Sequence, residues 1–294
     1  MFDGAFRIIR FNPKATVGSS VIVAAVTMAI PVLVTAILTA TVNVTFDRTG
    51  TPDDEALVGI AGSYGSLVVG LVLFAFGSLF VTAMVAHVVS AAAIGRRLTL
   101  GQAWAATRGK RWKLVVLTML LGLVMTTPVT IYVVAWVVVV IYASSVAVVV
   151  VWAVLTIPLF VAVWCVLWVR VNYLPVPVLM LEDVGVFGAI ARSWRLTRKQ
   201  FWRIGWIAFV TTLVAMVASS VLAGPFGVVG QLALFSGSRY ALLIYVVSQA
   251  VSQVVSAAFV TPFTSGVTSL QYLDQRMRKE AYDVELMSQA GLTG

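Results

Sequence analysis

Between Lys113 and Arg170 the chain runs for 56 residues, 114–169, without one Asp, Glu, Lys, Arg or His. At about 20 residues per bilayer crossing, this is too long for one transmembrane helix and fits two. The turn between them belongs at the most polar local cluster, Tyr142, Ser144 and Ser145. Overall the 294 residues are 61% hydrophobic and 11% charged, with a mean hydropathy of +1.01. Soluble domains carry about 25% charged residues, so a water-soluble globular fold is excluded. Further apolar runs cover 16–42, 57–94, 204–222 and 240–272, which brings the expected number of spans to six. The first run, which contains Pro31, exceeds the roughly 7–15 apolar residues of a signal peptide and is expected to stay as a span. The second is long enough to tilt or to project beyond the bilayer. A polar loop, 43–55, with Asp47, Arg48, Asp53, Asp54 and Glu55, separates these two runs. Gly224-Pro225-Phe226-Gly227 and Ser236-Gly237-Ser238-Arg239 bracket the expected connection between the last two.

Orientation follows from where Lys and Arg fall. Arg7, Arg10 and Lys14 precede the first span, and Arg96, Arg97, Arg108, Lys110, Arg111 and Lys113 lie between the second and third. Arg170, Arg192, Arg195, Arg198, Lys199 and Arg203 lie between the fourth and fifth, and Arg276, Arg278 and Lys279 follow the sixth. Of the 20 basic residues only Arg48 and Arg239 fall on the other side. Both termini are therefore expected in the cytoplasm. Topology accounts for the net charge of +9, and with no separate basic domain, nucleic acid is not an expected partner.

Two basic segments read alike. Trp104, Thr107, Arg108 and Trp112 match Trp194, Thr197, Arg198 and Trp202, giving W-x-x-T-R-x-x-x-W twice, 90 residues apart. Leu100 aligns with Ile190, and Lys113 with Arg203. Phe2, Phe6, Ile9 and Arg10 form a third, looser copy in register with Leu100, Trp104, Thr107 and Arg108. The chain thus reads as one integral membrane domain, 1–294, of three units at about 1–94, 98–172 and 186–272, with a cytoplasmic tail at 273–294. Each unit is an amphipathic interfacial helix followed by a transmembrane hairpin. Phe187, Ile190, Ala191 and Trp194 follow the i, i+3, i+4, i+7 spacing of an apolar helix face, while Arg192, Arg195 and Lys199 point elsewhere. Thr99 with Gln102 is a capping-box pattern that starts a helix at Leu100. Such helices lie in the interface with Trp at headgroup level and Arg toward phosphates. Trp104, Arg108, Trp194 and Arg198 are accordingly candidate contacts for anionic lipid headgroups or for a membrane protein partner; plain topogenic anchoring is the alternative.

Chemistry is sparse. One histidine, His87, and one cysteine, Cys165, do not make a metal, haem or iron–sulfur site, and Cys165 is expected to pack as a small apolar residue. No carboxylate lies inside any run, which disfavours a proton-coupled carrier. His87 sits near the basic end of its run as an interfacial hydrogen-bonding residue, and Arg170, which closes the fourth span with Asn172, is expected to snorkel. The sixth run carries a polar band in which Tyr245, Gln249 and Gln253 recur every four residues beside Ser248, Ser252 and Ser256. These groups must point into the bundle, as interhelical hydrogen bonds or as the lining of a cavity. Gly62, Ser66 and Gly70 permit close helix approach, to a polar and bulkier partner face by expectation. Prolines 31, 128, 158 and 262 fall inside runs, and Pro175 and Pro177 just after one. No hydrolase, zinc-protease or phosphate-loop motif occurs. Glu182-Asp183 is expected as a helix start or salt bridge.

The stretch from Tyr272 through Asp274, Arg276, Arg278, Lys279, Glu280, Asp283 and Glu285 to Leu286 resembles the tail of actinobacterial integral membrane proteins of the glycerophosphoryl diester phosphodiesterase membrane-domain family. The segment from Arg192 to Arg198 and the opening Phe11-Asn12-Pro13-Lys14 are similar too, so the resemblance is expected to cover nearly the whole chain. It implies a six-span helical membrane domain; the family's hydrolytic activity resides in a separate soluble barrel using histidines, carboxylates and a divalent cation. The motifs shared here are topological, and the activity is not expected to transfer.

The expectation is an all-α, polytopic protein of a bacterial inner membrane with no catalytic residues, no cofactor and no metal. A scaffold or accessory subunit in envelope or lipid functions is the first reading. A transporter or lipid-translocating protein, with Tyr245, Gln249 and Gln253 lining a cavity, is the second. A membrane-embedded enzyme centred on His87 or Arg170 is the third.

Overall fold

A computed structural model of the chain describes residues 1–41, 54–143, 145–198 and 200–282. Most of the expected 43–55 loop, together with Ser144, Lys199 and the end of the tail, lies outside these residues. Every element among the described residues is a helix: α1 (Phe2–Phe11), α2 (Pro13–Thr41), α3 (Asp54–Ala93), α4 (Leu100–Ala106), α5 (Arg111–Tyr142), α6 (Val146–Leu167), a π-helical turn (Trp168–Asn172), α7 (Pro175–Leu181), α8 (Val186–Thr197), α9 (Phe201–Leu234) and α10 (Ala241–Glu280). Six helical stretches are long and apolar enough to cross a membrane: α2, Leu57–Ala93 of α3, α5, Val146–Leu181, α9 and α10. The expected six-span, all-helical architecture is what the chain adopts.

Local sequence explains how the elements start and join. Thr99 and Gln102 form the reciprocal capping box: the Gln102 amide N–H donates to Thr99 Oγ1 at 3.3 Å, and the Thr99 N–H donates to Gln102 Oε1 at 2.9 Å. Pro13 and Pro175 stand in the first turn of α2 and α7, where a missing N–H costs nothing. Asn12, between α1 and α2, accepts the Leu98 N–H at 3.2 Å and so ties this joint to the loop after α3.

The helices divide unequally. α2, α3, α9 and α10 pack into a four-helix bundle, with α10 against α9, α2 and α3. Gly70 and Gly62 let α2 approach: a Cβ on Gly70 would lie 2.5 Å from Pro31 Cγ, and one on Gly62 would lie 2.7 Å from a Leu38 methyl. The partner of that stripe is therefore apolar rather than the expected polar face, because Ser66 spends its hydroxyl on the Ser63 carbonyl of its own helix. The α5–α6 hairpin stands apart. No residue of α6 is buried, and the buried ones of α5, from Leu114 to Met125, all precede Pro128. Tyr132 and Phe160, stacked at 4.2 Å, hold the hairpin to itself.

The core lies at the end where the basic residues gather. Val81, Val85, Ala86 and Val89 of α3, Leu114 and Leu117 of α5, and Leu174, Val178 and Leu179 around α7 are buried in one cluster. α7 is a plug that periodicity did not show, since seven apolar residues after a span look like its frayed end. The expected break at Gly224-Pro225 is also corrected: α9 runs through it to Leu234. In lipid, a proline leaves one carbonyl unpaired, whereas a broken helix would leave several.

Candidate functional site at the basic end

Glu182, at the C-terminus of α7, organises this end. Its carboxylate accepts from Arg192 Nε at 3.0 and 3.2 Å and from the Tyr272 hydroxyl at 2.9 Å, and Arg276 Nε lies 3.9 Å away. Arg192 also pairs with Glu280, which Arg276 reaches at 3.2 Å. Burial alone would lower the Arg192 guanidinium, but hydrogen bonding and charge from Glu182, then Glu280, hold it above its ordinary value. Lys110 Nζ donates to the carbonyls of Met180 and Glu182 at 3.2 and 2.6 Å. Burial pushes this ammonium below its ordinary value, with Asp183 opposing.

The end of α10 is stapled to α8 and α9 by the residues of the tail motif. Lys279 Nζ donates to the carbonyls of Arg195, Leu196 and Arg198, at the C-terminal end of α8. Gln275 donates to Gln200 at 3.0 Å, and Asp274 pairs with Arg203 at 3.2 Å and Arg278 at 3.0 Å. A motif met in the sequence as a family signature is here a set of structural clamps. Two of its carboxylates, Asp274 and Glu280, are engaged with arginines.

The repeated Trp-Arg elements occupy the rim. Trp104 and Trp194 are 44% and 40% exposed, while Trp112 and Trp202 reach 77% and 85%. Thr107 and Thr197 are both buried and donate to the carbonyl of the tryptophan three residues back, at 2.8 and 3.0 Å. Ala5, Ala103 and Ser193, which directly precede Phe6, Trp104 and Trp194, are all fully buried. The cations that stack on these tryptophans come from outside the repeated Trp-Arg pairs. Arg111 lies over Trp104 at 3.9 Å and Arg170 over Trp194 at 4.7 Å, whereas the Arg108 and Arg198 side chains are exposed. Among the described residues, no hydrogen bond, ion pair or ring contact joins Trp104 or Arg108 to Trp194 or Arg198. Each element forms its own patch. α8 turns Ala189, Ser193 and Leu196 inward, and leaves Phe187 of the expected apolar face 76% exposed at the rim.

The polar band of α10 is largely engaged. Ser256 bonds Ser219 of α9 at 2.7 Å, Ser252 donates to the Ala223 carbonyl at 3.2 Å, and Gln249 donates to the Tyr245 hydroxyl one turn away at 3.1 Å. Tyr245 packs on Tyr64 with ring centres 5.8 Å apart. The cleft between α2 and α10, lined by Met28, Val32, Val247 and Val251 among others, is apolar and includes neither Tyr245, Gln249 nor Gln253. His87 Nε2 is buried without a partner, and no group of three His, Cys, Asp or Glu residues occurs among the described residues.

The sequence profile of the membrane domain of glycerophosphoryl diester phosphodiesterase matches residues 146–289. Over that stretch, just under half of its length, the chain is similar to that membrane-domain family. The match spans the π-helical turn, α7, α8 and the stapled end of α10, but it stops short of the opening Phe11-Asn12-Pro13-Lys14. The expectation of a resemblance along nearly the whole chain narrows to this stretch. Neither a curated protein nor a solved structure matches the chain.

Proposed function

We propose that the protein is a non-enzymatic, multi-pass scaffold or accessory subunit of a bacterial inner membrane, serving envelope or lipid functions. Its basic end faces the cytoplasm and contacts anionic headgroups through Trp104 and Arg108 and through Trp194 and Arg198. One observation carries this reading: Glu182, Asp274 and Glu280 are committed to arginines, while tryptophans and the side chains of Arg108 and Arg198 stay exposed around them. A rim of that composition suits a phosphate-rich surface, and the carboxylates at its centre, Glu182, Asp274 and Glu280, are already spent on arginines. The three-unit organisation fits the same reading, since an interfacial helix precedes each hairpin.

The test is thermal unfolding in nanodiscs. A ligand that binds only the folded state raises its stability. Phosphatidylglycerol discs are expected to raise Tm over phosphatidylcholine discs, and Arg108→Gln with Arg198→Gln to remove most of that rise. High salt is expected to shrink the rise in the wild type. An equal rise in the double variant would overturn the headgroup contacts.

A further inference from the structure

An apolar cleft of 600 Å³ lies between α6 and the first turns of α9, outside the four-helix bundle. Trp164, Trp168, Val169, Phe201, Gly205 and Trp206 are among its lining residues. It falls in the roughly 300–1,000 Å³ range of small-molecule sites, and its exposed walls make it continuous with the surface that lipid would cover. Where the cleft reaches the basic end, the chain forms a π-helical turn, Trp168–Asn172, a departure from the α-helix that recurs at functional sites. The Ser193 hydroxyl fixes this turn by donating to the Arg170 carbonyl at 3.0 Å.

Arg170 belongs to that turn and directly follows Trp168 and Val169, two residues of the cleft wall, at its edge. Its guanidinium lies over the rings of Trp194 at 4.7 Å and Phe201 at 5.6 Å, and Phe201 is also a wall of the cleft. Its Nε is buried and has no hydrogen-bond partner, and no carboxylate pairs with it among the described residues. Its Nε donor is unspent, and in a dry setting an unmet donor costs energy until an acceptor arrives. Aromatic stacking sets the plane of the guanidinium, and its paired N–H groups match a phosphate.

We infer that the α6–α9 cleft is a phospholipid-binding site, with an acyl chain along Trp164, Gly205 and Trp206 and the lipid phosphate on Arg170. The occupant must supply both parts. An apolar chain alone leaves the Arg170 donor unmet, and a free anion leaves the cleft unfilled. The site shares with the proposed function the membrane setting and Trp194, and it does not use Arg108 or Arg198.

Native mass spectrometry of the delipidated full chain with added dioleoylphosphatidylglycerol tests this. One lipid is expected to be retained per chain, at least tenfold better than dioleoylglycerol, which has the same chains and no phosphate. Excess inorganic phosphate is expected not to displace it. Arg170→Gln should reduce retention at least tenfold, and Gly205→Leu, which fills the cleft away from Arg170, should do the same. Arg108→Gln with Arg198→Gln should leave this lipid in place, so failure of the headgroup contacts and failure of this site are read separately. Equal retention of the diacylglycerol by the wild type, displacement by phosphate, or wild-type retention in either cleft variant would each overturn the site. The diacylglycerol comparison decides the matter even if a variant misfolds.

Discussion

Glu182 shows how much one side chain can organise. It ties α7 to α8 through Arg192 and to α10 through Tyr272, and both partners are themselves packed or paired. Replacing it with Gln keeps the shape but removes the charge that Arg192 faces. Hydrogen bonds to charged groups contribute roughly 1.5–3 kcal/mol, and the partial exposure of Arg192 places this one at the lower end. Glu182→Gln is expected to lower Tm in detergent by several degrees, and an unchanged Tm would show that the tail clamps hold the end together without it. The sequence marked Glu182-Asp183 as a salt-bridge feature beside a basic helix, and that much was legible. Tyr272 and Glu280 were not, since they lie about 90 residues on and only the fold brings them close. The stacking of Arg111 and Arg170 on tryptophans was not legible for a related reason: periodicity orders residues within one helix, while these cations come from the next helix or from an irregular turn.

At the scale of the elements, the apolar runs are readable because each helix must satisfy its own backbone in lipid, whatever its neighbours do. What they pack against is not written in hydropathy. The Gly62–Gly70 stripe is an instance: its spacing announced a close approach, but the partner is the Pro31 and Leu38 face of α2. Gly70→Ala drives a methyl into the rigid ring of Pro31, so α2 and α3 must separate. Overpacking of this kind costs about 1–3 kcal/mol, and thermal unfolding is expected to register it, whereas Gly65→Ala, which meets nothing within 4 Å, should be neutral. Equal effects at the two positions would contradict the α2–α3 packing. α7 and the Pro225 passage of α9 mark the limits of reading: a buried seven-residue helix has too few turns to show a period, and a Gly-Pro pair means a break only where water can pay for it.

Across the whole molecule, the three short amphipathic helices dock on different neighbours: α4 lies on α3 and α2; α8 lies on α7, the π-helical turn and α5; α1 lies mainly on α10. Together they make the collar of the basic end, while the hairpins differ, two sharing a bundle and one standing apart. The charge pattern in the sequence pointed to such a collar on one side of the membrane, and the fold gathers those residues at one end. The account rests on that collar facing the cytoplasm. Labelling of single cysteines in a Cys165→Ser background with a membrane-impermeant maleimide tests it most directly, in right-side-out and inverted vesicles. Arg195→Cys, on the exposed face of α8, is expected to react only in inverted vesicles, and Asp53→Cys, between the first two spans, only in right-side-out ones. The opposite pattern, or reaction of both positions from the same side, would contradict the topology and with it the proposed role of the basic end.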